Sequence, residues 1–514
     1  MFTRHLKLLR WFIGIVVGVV LGLWIAVVVV SRAPILQKKL VEALNDQLDA
    51  DVELGTFEVK AFPGLRIHGD GLKLRLKGQG EPRPFIEVHH FEVSGSLFGL
   101  LHRQRRFTSV TLEGLRITIP PRTANDVEAG KKAVTTAEGP VLIDHVEAKD
   151  AQLILVPRDP RKEPKVFAIH NLTIESVGFN RTMLFIATLT NPIPAGEIAT
   201  KGSFGPWVRS DPGLSPVSGH YSFDHADLST IKGIAGILKS LGEFSGHLQE
   251  IDVRGTTSTP DFSIDASGTP VPLDTTFHAV VDGTTGNTYL KQVDAKLQGT
   301  PITASGAIES QPGVKGRTVK LDVAIRGGRI QDVLKLAVRA TSPVMSGRMA
   351  LQAVLLLPPG EAKVIDRLRL NGRFALDRAQ FTDAGVRQKL AEMSRRAQGK
   401  KPDEPIGKIA SDIRGHFVLR DGAIRFEPLG FTLPGADIQL TGVYGIRSQQ
   451  LDFSGTLSMD ATISKAAGGG IKGFFLKAVD PIFRKHGKGA VIPITISGPR
   501  DQPAFGVRWG RVFK

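Results

Sequence analysis

The 514-residue sequence contains no cysteine, which excludes disulfides, thiolate metal sites, iron–sulfur clusters and a cysteine nucleophile. A P-loop, an H-E-x-x-H pair, a G-x-S-x-G elbow and a dinucleotide glycine fingerprint are also missing. We therefore expect a protein that is not an enzyme and that needs no cofactor. An exported hydrolase is kept as a third hypothesis, because catalytic groups that are distant in sequence can meet in a fold.

Long apolar runs are also scarce, and residues 11–30 form the only one of its length. A helix of about 20 residues crosses the roughly 30 Å hydrocarbon core of a bilayer. We expect a transmembrane helix here, preceded by a short cytoplasmic tail at residues 1–10. The alternative is a cleaved signal peptide, but this run is longer than a usual signal h-region, and Pro34 follows the only small-residue cleavage-like sequence.

Positive charge flanks this run on both sides, so charge alone does not determine its orientation. We favour a cytoplasmic N-terminus, because the large C-terminal part is typical of an exported β protein. The net charge of +16 would suggest nucleic acid for a cytosolic protein. For an anchored, exported chain, anionic lipid headgroups are the expected partner, and nucleic acid is not.

After the apolar run, the leucine spacing in residues 31–50 predicts a juxtamembrane amphipathic helix. Strand patterns then begin, and Leu72, Leu74 and Leu76 alternate with basic residues as in a half-buried strand. The alternation changes phase around Gly114, which predicts a β-bulge. Residues 120–140 are polar and without periodicity, which predicts a loop.

A pattern of apolar-x-Gly-x-apolar recurs along the exported part, and period two places each glycine on the same face as its apolar neighbours. A glycine on the inner face lets a strand bend, so the pattern favours one long curved sheet. Glycines scattered through ordinary β-sandwiches are the alternative. The central glycines are Gly219, Gly246, Gly306, Gly347, Gly372, Gly415, Gly442 and Gly455.

Apolar residues at helical spacing predict further helices at residues 227–241, 384–398 and 471–484. The last is basic and rich in phenylalanine, so it is a candidate membrane-interface segment, with a helix that caps the β structure as the alternative. Its candidate interface residues are Lys472, Phe474, Phe475, Lys477, Phe483, Arg484 and Lys485.

The most suggestive polar cluster is His220, Asp224, His225 and Asp227, whose residue types could suit a divalent metal. Alternation places His220 and Asp224 on the polar face of a strand, however, so solvated side chains are the simpler interpretation. We therefore predict no metal site.

From about residue 367 onward, the sequence resembles the C-terminal region of the AsmA-like family of bacterial envelope proteins. The resemblance rests on four stretches in order: LRLNGRFALDRAQFTDAGVRQKLAEMSRRAQGK, SDIRGHFVLRDGAIRFEPLGFTLPGADIQLTGVYG, LDFSGTLSMDATIS and KAVDPIFRKHGKGAVIPITISGPRDQPAF. It continues more loosely upstream, through DLSTIKGIAGIL and ELGTFEVKAFPGLRIHGDGLKL. It implies a single-pass protein of the bacterial inner membrane whose bulk lies in the periplasm, linked to lipid traffic or outer-membrane assembly.

Together these features predict a mainly β fold: one N-terminal transmembrane helix, then an elongated, curved, antiparallel-type sheet folded into a groove, with a few short amphipathic helices. We expect a periplasmic β-groove region at residues 51–360 and an AsmA-like C-terminal region at 361–514. The candidate residues lining the groove are Leu72, Leu74, Leu76, Ile438, Leu440, Phe453 and Leu457.

The expected function is the binding of phospholipid or other lipid acyl chains in this apolar groove, in support of phospholipid transport or outer-membrane biogenesis. Burial of each methylene gains about 0.8 kcal/mol, so a groove can hold a chain without a specific polar site. The alternative is a structural or assembly factor that docks other envelope or outer-membrane proteins without carrying lipid.

Overall fold

The structure is a computed structural model, and it describes residues 50–60, 65–76, 84, 86–96, 105–119, 141–156, 164–178, 180–208, 212–265, 267–283, 285–310, 314, 316–339, 342–400, 404, 410–461, 490–500 and 502–507. The predicted transmembrane helix, nearly all of the juxtamembrane helix, the loop at 120–140 and the basic segment at 471–484 lie outside these residues. No helix among the described residues has both the length and the apolar character needed to cross a membrane.

The described residues are mainly β, as predicted from the alternation and the turn residues. The strands are β1 (Ala50–Glu53), β2 (Thr56–Lys60), β3 (Leu65–Leu76), β4 (Ile86–Gly95), β5 (Arg105–Glu113), β6 (Arg116–Ile119), β7 (Val141–Leu155), β8 (Lys165–Val177), β9 (Met183–Pro192), β10 (Ala195–Phe204), β11 (Pro216–Asp227), β12 (Ile234–Ala235), β13 (Ile237–His247), β14 (Glu250–Ile264), β15 (Val271–Val281), β16 (Thr288–Leu297), β17 (Thr300–Ser310), β18 (Arg317–Arg329), β19 (Met345–Leu357), β20 (Arg369–Phe381), β21 (Ser411–Arg420), β22 (Ala423–Leu433), β23 (Ala436–Gly445), β24 (Gln450–Met459), β25 (Ala490–Pro499) and β26 (Ala504–Val507).

Three α-helices occur among the described residues: α1 (Ile330–Ala337), α2 (Val364–Arg367) and α3 (Ala384–Ala397). The prediction of a helix at 384–398 is therefore confirmed, and α3 begins where the Asp383 carboxylate accepts a 2.8 Å hydrogen bond from the Val386 N–H. Helix α1 was not predicted, because it covers only two turns.

The prediction of a helix at residues 227–241 is wrong. This segment contains the end of β11, a 3-10 turn at Leu228–Thr230, β12 and the start of β13. Gly233 and Gly236 have φ angles of 97° and 130°, which a right-handed helix does not contain. The apolar spacing imitates a helical face, but the two glycines break the chain into short extended pieces.

The described chain divides into two compact units. Unit 1 contains the residues up to Thr230, with Leu238–Thr257 and Val280–Asn287, and unit 2 contains Ile231–Ile237, Ser258–Ala279 and the residues from Thr288 onward. The predicted boundary at residue 360 lies inside unit 2, between the paired strands β19 and β20. That boundary rests on the family resemblance, and it stays a prediction.

In unit 1, β1 and β2 both pair with β3, and β3 pairs with β4. Strands β7 to β11 pair in chain order. All of these pairs are antiparallel. Strands β5 and β6 lie between β4 and β7, antiparallel to β4 and parallel to β7. A parallel return needs a long connection, and residues 120–140 supply its length. The sheet is thus mixed at this point.

The change of phase predicted at Gly114 is confirmed, but the β-bulge is not, because His90 pairs with Glu113 and Glu87 with Arg116, which leaves two residues on each strand and no extra one. Gly114 has a φ of 62°, separates β5 from β6 and donates its N–H to the Lys149 carbonyl at 3.2 Å. Phe107, Val110 and Leu112 before it and Leu115 after it are all buried. The first part of unit 1 therefore has a closed core, formed by Val52, Ile67, Leu72, Leu74, Ile86, Val88, Phe91, Val93, Phe107, Val110, Leu112, Leu115, Ile143, Val146, Ala148, Ala151, Val177 and Met183.

In unit 2, strands β16 to β26 pair in chain order, and every pair is antiparallel. Paired residues lie on the same face of a sheet, and successive residues of a strand lie on opposite faces. In this part of the sheet, the register collects apolar residues on one face and most of the charged residues on the other. We call these the inner and outer faces. Helix α1 packs beside β17 to β19, and α3 packs beside β22 to β24.

Candidate functional site

The strand register of unit 2 arranges the inner-face residues of β16–β20 into three parallel rows that run across the strands. The leucine row contains Leu290, Gly306, Leu321, Leu355 and Leu370. The floor row contains Val293, Ala304, Val323, Ala353 and Gly372. The third row contains Ala295, Ile302, Ile325, Leu351 and Phe374.

These rows form an apolar strip that the described chain covers only in part. Every residue of the leucine row is half-buried, and so is every residue of the floor row except the buried Gly372. On β18–β20 the floor row has smaller side chains than the rows on either side, which lowers the surface between them. We call this strip the trough; it carries no charged side chain.

Helix α1 covers the side of the trough formed by the third row. Ile325 and Ile330 are buried there together with Met349, and Val333 and Leu334 of the helix pack against them. The leucine row has no cluster of buried residues beside it on β17–β19 among the described residues. The trough therefore has one covered side and one side that is accessible to solvent.

A buried carboxylate holds α1 in this position. Asp332 is 2% exposed. Its Oδ2 accepts hydrogen bonds from the Thr300 hydroxyl at 2.9 Å, the Arg329 Nε at 2.9 Å and the Gly299 N–H at 3.2 Å. These contacts connect the first turn of the helix to the start of β17. They also provide the several hydrogen-bond donors that a buried carboxylate requires.

Further along the sheet, the inner face of β21–β25 contains buried residues among half-buried ones. Ile438, Leu440 and Phe453 are buried and form a cluster with half-buried neighbours from β22 to β25. Helix α3 adds a second small cluster in which Ala397, Leu433 and Ala436 are buried. Charge is absent from these clusters as well.

The predicted groove-lining residues fall into two separate places. Leu72 and Leu74 are 3% and 1% exposed in the closed core of unit 1, while Leu76 ends β3, opposite Ala50. Ile438, Leu440 and Phe453 are buried on the inner face of unit 2, and Leu457 is half-buried beside them. Leu72, Leu74, Ile438, Leu440, Phe453 and Leu457 are thus placed inward, and contact with lipid stays a prediction for each of the seven residues. The predicted membrane-interface residues from Lys472 to Lys485 lie outside the described residues.

Sequence reasoning missed the trough, although its signal was present. Gly306 and Gly372 had been singled out as inner-face glycines, and alternation from them leads directly to Ala304 and Leu370. The missing information was the register, which places Ala304, Val323 and Ala353 side by side although they are far apart in sequence.

The polar cluster around His220 is engaged in structural contacts. Asp224 forms a 3.1 Å ion pair with Lys239, and hydrogen bonding to that lysine lowers the pKa of the carboxyl. Asp227 accepts the Ser229 N–H at 2.9 Å, and hydrogen bonding by Ser229 lowers its pKa. Among the described residues, no group of three or more metal-ligating side chains is arranged around a common point.

Unit 1 contains a separate, open pocket of about 880 Å³. The pairing of β8–β11 places Thr173, Ile186, Lys201 and His220 on one face there, with Leu184 beside them. Leu184 and Ile186 are 52% and 61% exposed, which is high for large apolar side chains. We call this the outer pocket; it is mixed in character, since Glu175, Glu243 and the Asp252–Arg254 ion pair also border it.

Comparison with known proteins gives no assignment: no family model, no curated protein and no solved structure matches this chain.

Proposed function

We propose that this protein binds lipid acyl chains in the trough of unit 2 and supports phospholipid transport or outer-membrane biogenesis from the bacterial inner membrane. The observation that carries the proposal is that the leucine and floor rows on the inner face of β16–β20 are continuous, uncharged and, except for Gly372, half-buried. An apolar strip of this kind costs free energy in water, and an acyl chain that covers it gains about 25 cal/mol for each Å² removed from solvent. The membrane anchor and the periplasmic location are part of the proposal.

The rows suggest how the chain would lie. Because the floor row runs across the strands, an acyl chain placed on it crosses β16 to β20 and contacts leucines on one side and the third row on the other. Neighbouring strands are about 4.8 Å apart, so the five strands offer a path of about 19 Å. The polar headgroup would stay in water.

Photocrosslinking at two adjacent positions tests the proposal. Leu355 points into the trough, whereas Val354 on the same strand points to the outer face and is 41% exposed. The full chain, reconstituted in liposomes with radiolabelled phospholipid, would carry a photoreactive benzoylphenylalanine at either position. We expect lipid adducts from position 355 and few from position 354.

Equal labelling at both positions would contradict an acyl-chain site, since it would reflect general proximity to the bilayer. Native mass spectrometry of the detergent-solubilised chain gives a second readout, in which we expect co-purifying phospholipid. Absence of both bound lipid and position-specific adducts would overturn the proposal.

The outer pocket supports a second candidate function, the docking of another envelope protein without lipid transport. Exposed aliphatic side chains beside charged groups are typical of protein interaction surfaces. Replacement of Leu184 and Ile186 by threonine separates the two candidates, because threonine suits an outward strand position. If the protein loses its function in the cell envelope when Leu184 and Ile186 are replaced, and keeps that function when trough residues are replaced, docking would be favoured.

A further inference from the structure

The floor row of the trough ends abruptly at a group of phenylalanines. Gly372 on β20 is paired with Phe417 on β21, which is paired in turn with Phe426 on β22. The floor row thus passes from a glycine, which has no side chain, to two phenylalanines, whose side chains are among the largest. A chain that lies along Ala304, Val323 and Ala353 would meet the ring of Phe417 next.

These rings form a connected cluster with Phe374 of the third row. The Phe374 ring centroid lies 6.1 Å from that of Phe417 and 6.2 Å from that of Phe426, and Phe426 lies 5.9 Å from Phe453. The tilted and edge-on arrangements are those that aromatic pairs prefer. The rings therefore support each other rather than standing singly in open space.

Glycines on neighbouring strands provide the room for two of these rings. A Cβ at Gly415 would lie 2.9 Å from the Phe374 ring, and a Cβ at Gly442 would lie 2.6 Å from Cδ1 of Phe453. Real Cβ atoms do not approach so closely, so each ring occupies space that a side chain would fill. The recurring glycines thus allow aromatic packing at this point.

Burial changes at the same place. On the trough side, Leu321, Val323, Ala353 and Leu355 are all half-buried. Past the phenylalanines, the core residues Leu419, Ile438, Leu440 and Phe453 are buried, at 3%, 8%, 8% and 6% exposure. Buried residues of the inner face thus occur beyond β20, while Phe417 and Phe426 themselves are half-buried, which leaves their rings accessible from the trough.

We propose that Phe417, supported by Phe374 and Phe426, is an aromatic stop that sets the longest acyl chain the trough accommodates. This inference rests on the proposed function, since it assigns a specificity-determining role within the same site. The terminal methyl of a bound chain would lie against the Phe417 ring, and additional methylenes would extend out of the trough at the opposite end, towards β16. Chains beyond the limiting length would gain no further apolar contact.

The test is a series of saturated fatty acids of increasing length, titrated into the delipidated full chain in a nonionic detergent, with displacement of a fluorescent fatty acid as the readout. Below the limit, each buried methylene is worth about 0.8 kcal/mol, which corresponds to an affinity gain of about fourfold. We expect the affinity to rise with length and then level off. With Phe417→Ala, levelling off should move to longer chains.

The matched control is Phe381→Ala, which removes another half-buried ring, in contact with Phe431 at 6.4 Å but outside the floor row. It should leave the limiting length unchanged. Truncation of a packed phenylalanine to alanine leaves a large cavity, so Phe417→Leu provides a milder variant if the alanine variant does not fold. Near-ultraviolet circular dichroism checks the fold of each.

The outcomes separate the two proposals. A limiting length that is unaltered in folded Phe417→Ala and Phe417→Leu overturns the aromatic stop but leaves acyl-chain binding intact. Absence of saturable fatty-acid binding in the unmodified chain overturns the proposed function itself. A fatty acid with a diazirine at its terminal carbon provides the direct readout: we expect adducts near Phe417 in the unmodified chain and on Phe426 or Phe453 in Phe417→Ala.

Discussion

At the scale of single residues, neighbours on one strand of unit 2 differ sharply in surroundings. Leu355 belongs to the leucine row, whereas Val354 faces outward opposite Asp322 and Asn371. Both are aliphatic, so composition alone does not distinguish them. The difference is a consequence of strand alternation, and it makes the two residues a matched pair for mutation.

We predict that Leu355→Lys reduces acyl-chain affinity at least tenfold, whereas Val354→Lys has little effect. An ammonium group in the trough must be desolvated or must turn away, and in either case several methylene contacts are lost. At position 354, the lysine lies in water beside Asp322. Fatty-acid displacement measures both, and equal losses for the two variants would argue against a binding site on the inner face.

Asp332 is a residue whose importance only the folded structure reveals. We predict that Asp332→Ala lowers the free energy of unfolding by about 1–3 kcal/mol, because Thr300, Arg329 and Gly299 lose their common acceptor. Urea unfolding monitored by circular dichroism measures this change. Asp322→Ala, which removes an exposed carboxylate from the outer face of β18, is the control and should change stability by less than about 0.5 kcal/mol.

At the scale of elements, helix α3 is capped by Asp383, the residue that precedes it. The Asp383 carboxylate satisfies the Val386 N–H, one of the N–H groups that a helix leaves unpaired at its start. We predict that Asp383→Ala destabilises the helix by about 1 kcal/mol and that Asp383→Ser, which retains a capping oxygen, has a smaller effect. Hydrogen exchange of the α3 amides is the measurement, and similar exchange in the two variants would show that the cap contributes little.

The elements also show what the sequence could and could not predict. Strand alternation was sufficient for the β class and for the change of phase at Gly114, since both depend on neighbouring residues, whereas a bulge depends on the partner strand, and β4 keeps its register through this point. The spacing from Leu228 to Leu241 imitated a helix because apolar positions were considered without the positive φ angles of Gly233 and Gly236. The trough depends on the register of strands that, from β17 onward, are joined by long connections, which do not set the register as a two-residue turn does.

At the scale of the whole molecule, the division into units was also beyond sequence reasoning. A compact unit is defined by contacts between distant segments, and the segments 231–237 and 238–257 belong to different units although they are adjacent. The two units also differ in character: unit 1 contains the closed core of β1–β8, and unit 2 contains the trough. The predicted lining residues Leu72 and Leu74 therefore lie in a different unit from the trough.

The excess of positive charge is a property of the whole chain, and it leads to a prediction about membranes. The net charge of +16 favours anionic surfaces, and the sequence at 471–485 combines lysine and arginine with phenylalanine. We predict that lipid transfer from liposomes containing the full chain to anionic acceptor liposomes falls as salt rises, since screening shortens the range of the attraction. Transfer to neutral acceptors should depend little on salt.

The same assay tests whether charge acts through this segment. Combined charge reversal at Lys472, Lys477 and Arg484 should lower transfer to anionic acceptors at least tenfold, because each basic residue near such a surface contributes about 1 kcal/mol and a tenfold change corresponds to about 1.4 kcal/mol. Charge reversal at Lys296, Lys320 and Arg373, which lie exposed on unit 2 strands, alters the net charge equally and is the control. Equal losses from the two triple variants would assign the effect to net charge, whereas a loss confined to the first would assign it to the basic segment.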